Sequence, residues 1–266
     1  MKPSPDRYSE EHLLGDLSID WRGLDKQKIL ADIDRKPPLT KLKHPEVRFE
    51  VTDHCNAECI MCPRDKHKLG RKHGVMAMEK YKRSVDEVVA LGARNAVLQG
   101  FGEPLVDKRF EEKVAYAKSK GLHTYTITNA SLLTPARSRA IIESGLDAIR
   151  FSFYGMSTAS YNTVMRRLDF DTTVKAILGF LEERAKLGSQ KPKTEMSWLV
   201  MKETEHETEK FREFWEPKVD SIEIWRPHNY GDGRSYRDRH IDPSMKKTCG
   251  RPENGPLQIQ WNGEIV

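Results

Sequence analysis

The amino-acid sequence predicts an α/β fold built on parallel strands. Six apolar segments of strand character recur along the chain, each separated from the next by a helical segment. Glycine or proline punctuates most of the junctions. The 266 residues are 37% hydrophobic and 32% charged, which suits one large domain with its own core and argues against wholesale disorder. Strands that alternate with helices must run parallel, joined by crossovers. Periodicity does not decide between an open sheet and a barrel. In either, ligands gather at the C-terminal ends of the strands.

Residues 1–45 read as a polar, proline-punctuated N-terminal extension with one helix, in which Leu24, Ile29, Leu30 and Ile33 share a face. "RKPPLTKLKHP" breaks it and leads to the first strand, "VRFEVTDH", with Val47, Phe49 and Val51 alternating. "MEKYKRSVDEVVALG" is an amphipathic helix stopped by Gly92, and "NAVLQGFGE" is the second strand. "KRFEEKVAYAKSKG" is a helix stopped by Gly121, followed by the strand "HTYTITNA". "TPARSRAIIESG" opens with a Thr cap and Pro in the first turn, then "AIRFSFYG" forms the fourth strand. The helix "DTTVKAILGFLEERAKLG" precedes the strand "EMSWLVMK", and the helix "ETEKFREFWEP" precedes the strand "SIEIWRPHN".

The charge balance, 45 basic against 40 acidic residues, is too mild to point to nucleic acid. The N-terminus lacks an apolar signal region and no run reaches membrane-spanning length, so a cytoplasmic protein is expected. Three of its four cysteines, Cys55, Cys59 and Cys62, fall within eight residues, spaced C-x3-C-x2-C. In a reducing compartment such thiols are metal ligands or redox groups more often than disulfides. Zinc is one reading, with His67 or His73 completing a Cys3His site, in a binding module without catalysis. An iron–sulfur cluster is the other. It suits a loop at the ligand end of a large scaffold, and three cysteines leave one iron open to a ligand.

The run "CNAECIMC" resembles the cysteine signature of the radical S-adenosylmethionine (SAM) enzymes, and the resemblance extends over residues 46–230. "GFGEP" (Gly100 to Pro104) resembles the family's Gly-Gly-Glu-Pro motif, "TITNASLL" its third-strand motif and "IRFSFYG" its fourth. Phe101, Ala130 and Tyr154 depart from it, replacing two glycines and an aspartate. The resemblance implies a partial (β/α)6 TIM-like barrel in which Cys55, Cys59 and Cys62 hold a [4Fe-4S] cluster and SAM chelates the fourth iron. The implied chemistry is reductive cleavage of SAM to a 5′-deoxyadenosyl radical that abstracts a substrate hydrogen. By the same resemblance Met61 packs on adenine, Gly102 allows close backbone approach, and Glu103 accepts from the SAM amino group. Asn129 and Ser152 contact ribose or carboxylate, although capping of a strand end explains either residue as well. Arg166, rather than its neighbour Arg167, pairs with the SAM carboxylate.

Gln99, Tyr154, Trp198, Trp225, Arg226, His228 and Asn229 are expected on or near the cavity-facing strand ends, and Ile224 is read as core in preference to an adenine contact. The basic run of Arg64, Lys66, Lys68, Arg71 and Lys72, against Asp65 alone, suits an acidic electron donor such as a flavodoxin-like protein. Near the other end, "LQIQ" reads as a strand and Asn262-Gly263 as a hairpin turn, with a return arm of three residues. Cys249 and Gly263 resemble the start of the SPASM/twitch auxiliary-cluster extension. Residues 231–266 are therefore expected to begin such an extension, with Cys249 an auxiliary-cluster ligand whose partners follow Val266. The resemblance implies a radical SAM oxidoreductase that oxidises or epimerises a small sugar-like or aminocyclitol-like molecule. The alternative is a maturase acting on a peptide or protein.

Overall fold

The computed structural model describes residues 41–64, 73–227 and 255–266. The helix expected within residues 1–45, and His67, His228, Asn229 and Cys249, lie outside them.

The strands are β1 (Glu46–Phe49), β2 (Asn95–Leu98), β3 (His123–Thr128), β4 (Ala148–Ser152), β5 (Lys193–Leu199), β6 (Ser221–Trp225) and β7 (Leu257–Ile259). They form one sheet in the order β6-β5-β4-β3-β2-β1-β7, every pair parallel. β6 and β7 do not pair, so the barrel is partial, as expected. Six helices accompany the sheet among the described residues: α1 (Met78–Ala90), α2 (Phe110–Ser119), α3 (Pro135–Glu143), α4 (Thr158–Val164), α5 (Phe170–Lys186) and α6 (Thr208–Trp215). None is long and apolar enough to cross a membrane.

Local chemistry explains these boundaries. Gly92 and Gly121 take φ of +93° and +80° just past α1 and α2, a conformation open to glycine at little cost. Thr134 caps α3 by accepting from the Arg137 N–H at 3.2 Å, with Pro135 at the first helical position. The sequence reading missed α4, which Ser157 caps through the Ser160 N–H. It also missed that "LQIQ" enters the main sheet as β7, beside β1. The expected hairpin does form, with Ile259 opposite Ile265 and the Gln260 N–H donating to the Glu264 carbonyl at 2.8 Å.

The two faces of the sheet differ in chemistry. Towards the helices it is apolar: Phe49 meets Tyr81 of α1 edge to face at 5.2 Å, and Phe151 meets Phe180 of α5 at 5.5 Å. Each such fully buried side chain contributes about 1.5–3 kcal/mol. Trp198 belongs to this side, fully buried, its ring 4.7 Å from Phe211 and its indole N–H donating to the Thr208 hydroxyl. The expectation that it faces the cavity is therefore corrected.

One device repeats at the N-terminal ends of the strands. Asp147, entering β4, accepts from the Thr124 N–H of β3 at 2.8 Å. Asp220, entering β6, accepts from the Thr194 N–H of β5 at 2.8 Å. Lys118 and Lys191 each reach Asp147 at 2.6 Å, and Arg184 reaches Asp220 at 2.6 Å. Burial disfavours ionising either carboxyl, but these cations and amides outweigh it and hold both below the ordinary aspartate range. Because the folded-state pKa is depressed, the stabilisation is full above the ordinary aspartate value of about 3.9 and is lost as the pH falls below it. Asp147→Asn is expected to cost about 1–3 kcal/mol, seen as a lower urea midpoint at neutral pH. The variant should also lose less stability than the wild type between neutral and acidic pH. An unchanged midpoint with a wild-type acid profile would contradict this.

Candidate active site

The C-terminal ends of the strands carry the loops expected to be functional. Cys55, Cys59 and Cys62 lie half-buried in the loop that leaves β1, and no disulfide joins them to one another. Backbone contacts fix this loop from two sides. The Glu58 and Ile60 N–H groups donate to the Arg166 and Val164 carbonyls at 3.0 Å, docking it on the end of α4. At its root Asp53 accepts from the Gly74 N–H at 2.8 Å, and the Glu103 N–H donates to the His54 carbonyl at 2.8 Å. The Cys59 thiol also lies 3.5 Å from the Met165 sulfur.

Burial pushes the Cys55 thiol up to about 11 and raises Cys59 further, and each feels the charge of neighbouring cysteines in the loop. Without a cation these groups stay protonated at neutral pH; a metal centre would supply the positive charge that turns them into ligands. The His73 Nδ1 lies 3.1 Å from Asp53 Oδ2 and, when it carries the proton, donates to that oxygen, which engages the nitrogen away from the thiols. Among the described residues no three His, Cys, Asp or Glu groups are gathered as a single-ion site. The donor set suits an iron–sulfur cluster, whose ligands need not converge on one ion.

Glu103 is almost fully buried. Its carboxylate accepts from the Leu105 N–H at 3.0 Å, the Thr128 hydroxyl at 2.6 Å and the Asn129 N–H at 2.7 Å. Burial raises its pKa despite those donors. The residue thus ties the end of β2 to the end of β3. Asn129 continues the chain of contacts: its Nδ2 donates to Asn56 Oδ1 at 3.0 Å, and its Oδ1 accepts from the Ser131 N–H and hydroxyl. Asn56 Nδ2 in turn donates to the Ser131 hydroxyl at 2.8 Å. In this arrangement the Asn129 amide braces the cysteine loop through Asn56, inside "CNAEC", a bracing contact that the sequence alone does not show.

Of the motif departures, Phe101 keeps a negative φ, whereas Ala130 sits at φ +62° with its side chain buried, a conformation that costs an L-residue about 1–2 kcal/mol. Arg166 is exposed beside the loop, while Arg167 at φ +68° pairs with Glu58 at 2.8 Å.

A cavity of about 300 Å3 opens at the strand ends, lined by Met61, Ile127, Arg150, Ser152, Tyr154, Ser197, Leu199, Trp225, Arg226 and Pro227. Met61 brings the cysteine loop to it. Ser152, Tyr154, Trp225 and Arg226 stand where the sequence reading put them, and Gln99 does not line it. Burial raises the Tyr154 hydroxyl, which Ser152 and Ser197 hydrogen-bond. Ile224 packs on the core.

Gly102 makes the crossing of the two loops possible: a Cβ there would lie 2.2 Å from the Thr52 carbonyl oxygen and 2.7 Å from that of His54. Gly102→Ala must therefore displace the backbone that leads into Cys55, at a cost of about 1–3 kcal/mol or more. Anaerobic reconstitution of this variant is expected to yield clearly less bound iron than the wild type. Wild-type iron content and stability would show that the crossing does not set the loop.

Residues 49–214 match the radical SAM superfamily. The chain is 27% identical over 247 residues to the tungsten-containing aldehyde ferredoxin oxidoreductase cofactor-modifying protein of Pyrococcus furiosus, covering 82% of this chain and 69% of that one. It is 28% identical over 148 residues to the PqqA peptide cyclase of Bradyrhizobium diazoefficiens, covering 50% of this chain and 38% of that one. Its fold resembles the crystal structure of Streptococcus suis SuiB bound to S-adenosylmethionine, with a TM-score of 0.65, 14% identity, and coverage of 90% of this chain and 63% of that one. The match runs from the end of β1 into α6, with β2 to β5, the three-thiol loop and the Glu103 crossing inside it, and on that basis the chain belongs to the radical SAM superfamily.

Proposed function

We propose that this chain is a radical SAM oxidoreductase that removes hydrogen from a C–H bond of a small polar molecule. The observation that carries the reading is the placement of Cys55, Cys59 and Cys62 in a braced loop whose Met61 lines the cavity at the strand ends. When bound, the cluster and SAM supply one-electron cleavage of a carbon–sulfur bond and a radical that takes hydrogen. The protein's part is to bind, orient and exclude water.

Cys55, Cys59 and Cys62 would hold the cluster. Met61 would pack on adenine and Ser152 would offer its hydroxyl to the ligand. Arg166, exposed beside the cysteine loop, has the fork geometry for a carboxylate. Glu103 and Asn129 act mainly by position, since their bonds run to the protein. A contact of Glu103 with the SAM amino group would use its remaining acceptor capacity.

The cavity of about 300 Å3 is lined by Met61 and Ser152, so SAM would take part of it, and the room left favours a small substrate. A peptide or protein substrate is the second reading, favoured by the likeness to a peptide cyclase and to a cofactor-modifying protein. The spacing of Cys249 and Gly263 supports membership of the SPASM/twitch group, with Cys249 a ligand of an auxiliary cluster. The basic run from Arg64 to Lys72 suits an acidic, flavodoxin-like electron donor.

The test is reductive cleavage of SAM. Anaerobically reconstituted protein with dithionite is expected to form 5′-deoxyadenosine, and the Cys55→Ala, Cys59→Ala, Cys62→Ala triple variant is not. Cleavage by the triple variant would overturn the ligand assignment.

A further inference from the structure

The cysteine loop is closed by a cation to which the cofactor roles give no part. Arg64 opens the basic run that suits an electron donor, yet its side chain turns back into the loop. Its Nη2 donates to the Ala57 carbonyl at 3.2 Å. Half-buried, Arg64 thus reaches from beyond Cys62 to the turn between Cys55 and Cys59. The backbone prepares this return. The Cys62 N–H donates to the Cys59 carbonyl at 3.0 Å, and the buried Pro63 follows with its φ fixed by the ring.

The contacts of the loop meet at Ala57. It is buried, its N–H donates to Cys55 Sγ at 3.5 Å, and its carbonyl accepts from Arg64. Arg64 therefore holds the residue whose amide points at the Cys55 sulfur. Its charge acts on the same atom. Burial is the largest influence there and disfavours the thiolate. Of the charges, the Glu103 carboxylate adds to burial, and the Arg64 guanidinium opposes it. A guanidinium does not lose its proton in proteins, so the charge Arg64 brings is fixed.

A cluster gains negative charge on reduction, and its potential follows the net charge around it and the hydrogen bonds to its sulfurs. A nearby fixed cation and an N–H···S contact both favour the reduced state. We propose that Arg64 is a positioning residue that holds the Ala57 amide on Cys55 and raises the reduction potential of the cluster. This rests on the reading of Cys55, Cys59 and Cys62 as cluster ligands. It also separates Arg64 from the rest of the basic run, because its guanidinium serves the loop and not the electron donor. The loop then takes an electron from a weaker reductant than it would with a neutral residue at this position.

The experiment is a redox titration of the anaerobically reconstituted protein without SAM, followed by electron paramagnetic resonance, with bound iron and sulfide measured on each preparation. Arg64→Gln removes the charge and is expected to lower the midpoint. The expected shift is about tenfold in the reduction equilibrium, which is about 59 mV for one electron. Arg64→Lys keeps the charge and should stay nearer the wild type. Loss of the cluster from the Gln variant with retention in the Lys variant would also bear the charge out. An unchanged or higher midpoint in Arg64→Gln overturns the proposal. So does equal lowering, or loss of the cluster, in both variants, because Arg64 would then act through shape alone. A wild type that binds no iron–sulfur centre would overturn the reading of the cysteine loop itself, a result distinct from a cluster whose potential ignores Arg64.

Discussion

The site depends on a buried carboxylate at the crossing of two loops. Glu103 receives donors from its own turn, from the last residue of β3 and from the residue beyond it, while its backbone N–H holds the root of the cysteine loop. Such a charge is costly to bury, and losing one partner leaves the desolvation uncompensated. The crossing is therefore held by a group that tolerates little displacement. Gly102 permits it by keeping Cβ out of a space where two carbonyl oxygens already stand.

The two ends of the sheet serve different purposes. At the N-terminal ends Asp147 and Asp220 lock neighbouring strands through threonine N–H groups and basic side chains. At the C-terminal ends the polar contacts run from strand to loop, through Glu103, Asn129 and Asn56. The faces divide in the same way. Aromatic side chains fill the helix-covered face, and the cavity face sets Arg150, Ser152 and Ser197 beside Met61, Ile127 and Leu199.

The strands and most helices were legible in the sequence because their apolar periods are clean and their stops are glycines in the left-handed region. Helix α4 was not: it buries only Tyr161 and Val164, too few to mark a face. In "EMSWLVMK" apolar residues occupy both faces, so parity could not say that Trp198 points to the helices and Leu199 to the cavity. The pairing of β7 with β1 joins segments about 200 residues apart, which no local pattern records. Glu103 and Asn129 were found by motif, but their bonds to Thr128, Ser131 and Asn56 appear only once the loops are brought together. The ion-pair cluster of Arg150, Glu195 and Glu223 was also out of reach, since its members come from three separate strands.

The central claim is that the braced loop of Cys55, Cys59 and Cys62 holds an iron–sulfur centre open to SAM. Metal and sulfide analysis of anaerobically purified protein, coupled to electron paramagnetic resonance of the reduced sample, tests it most directly. The account predicts about four irons and four sulfides for the cluster at this loop. It also predicts a signal that changes when SAM is added. Zinc in place of iron, or an iron–sulfur signal indifferent to SAM, would contradict it.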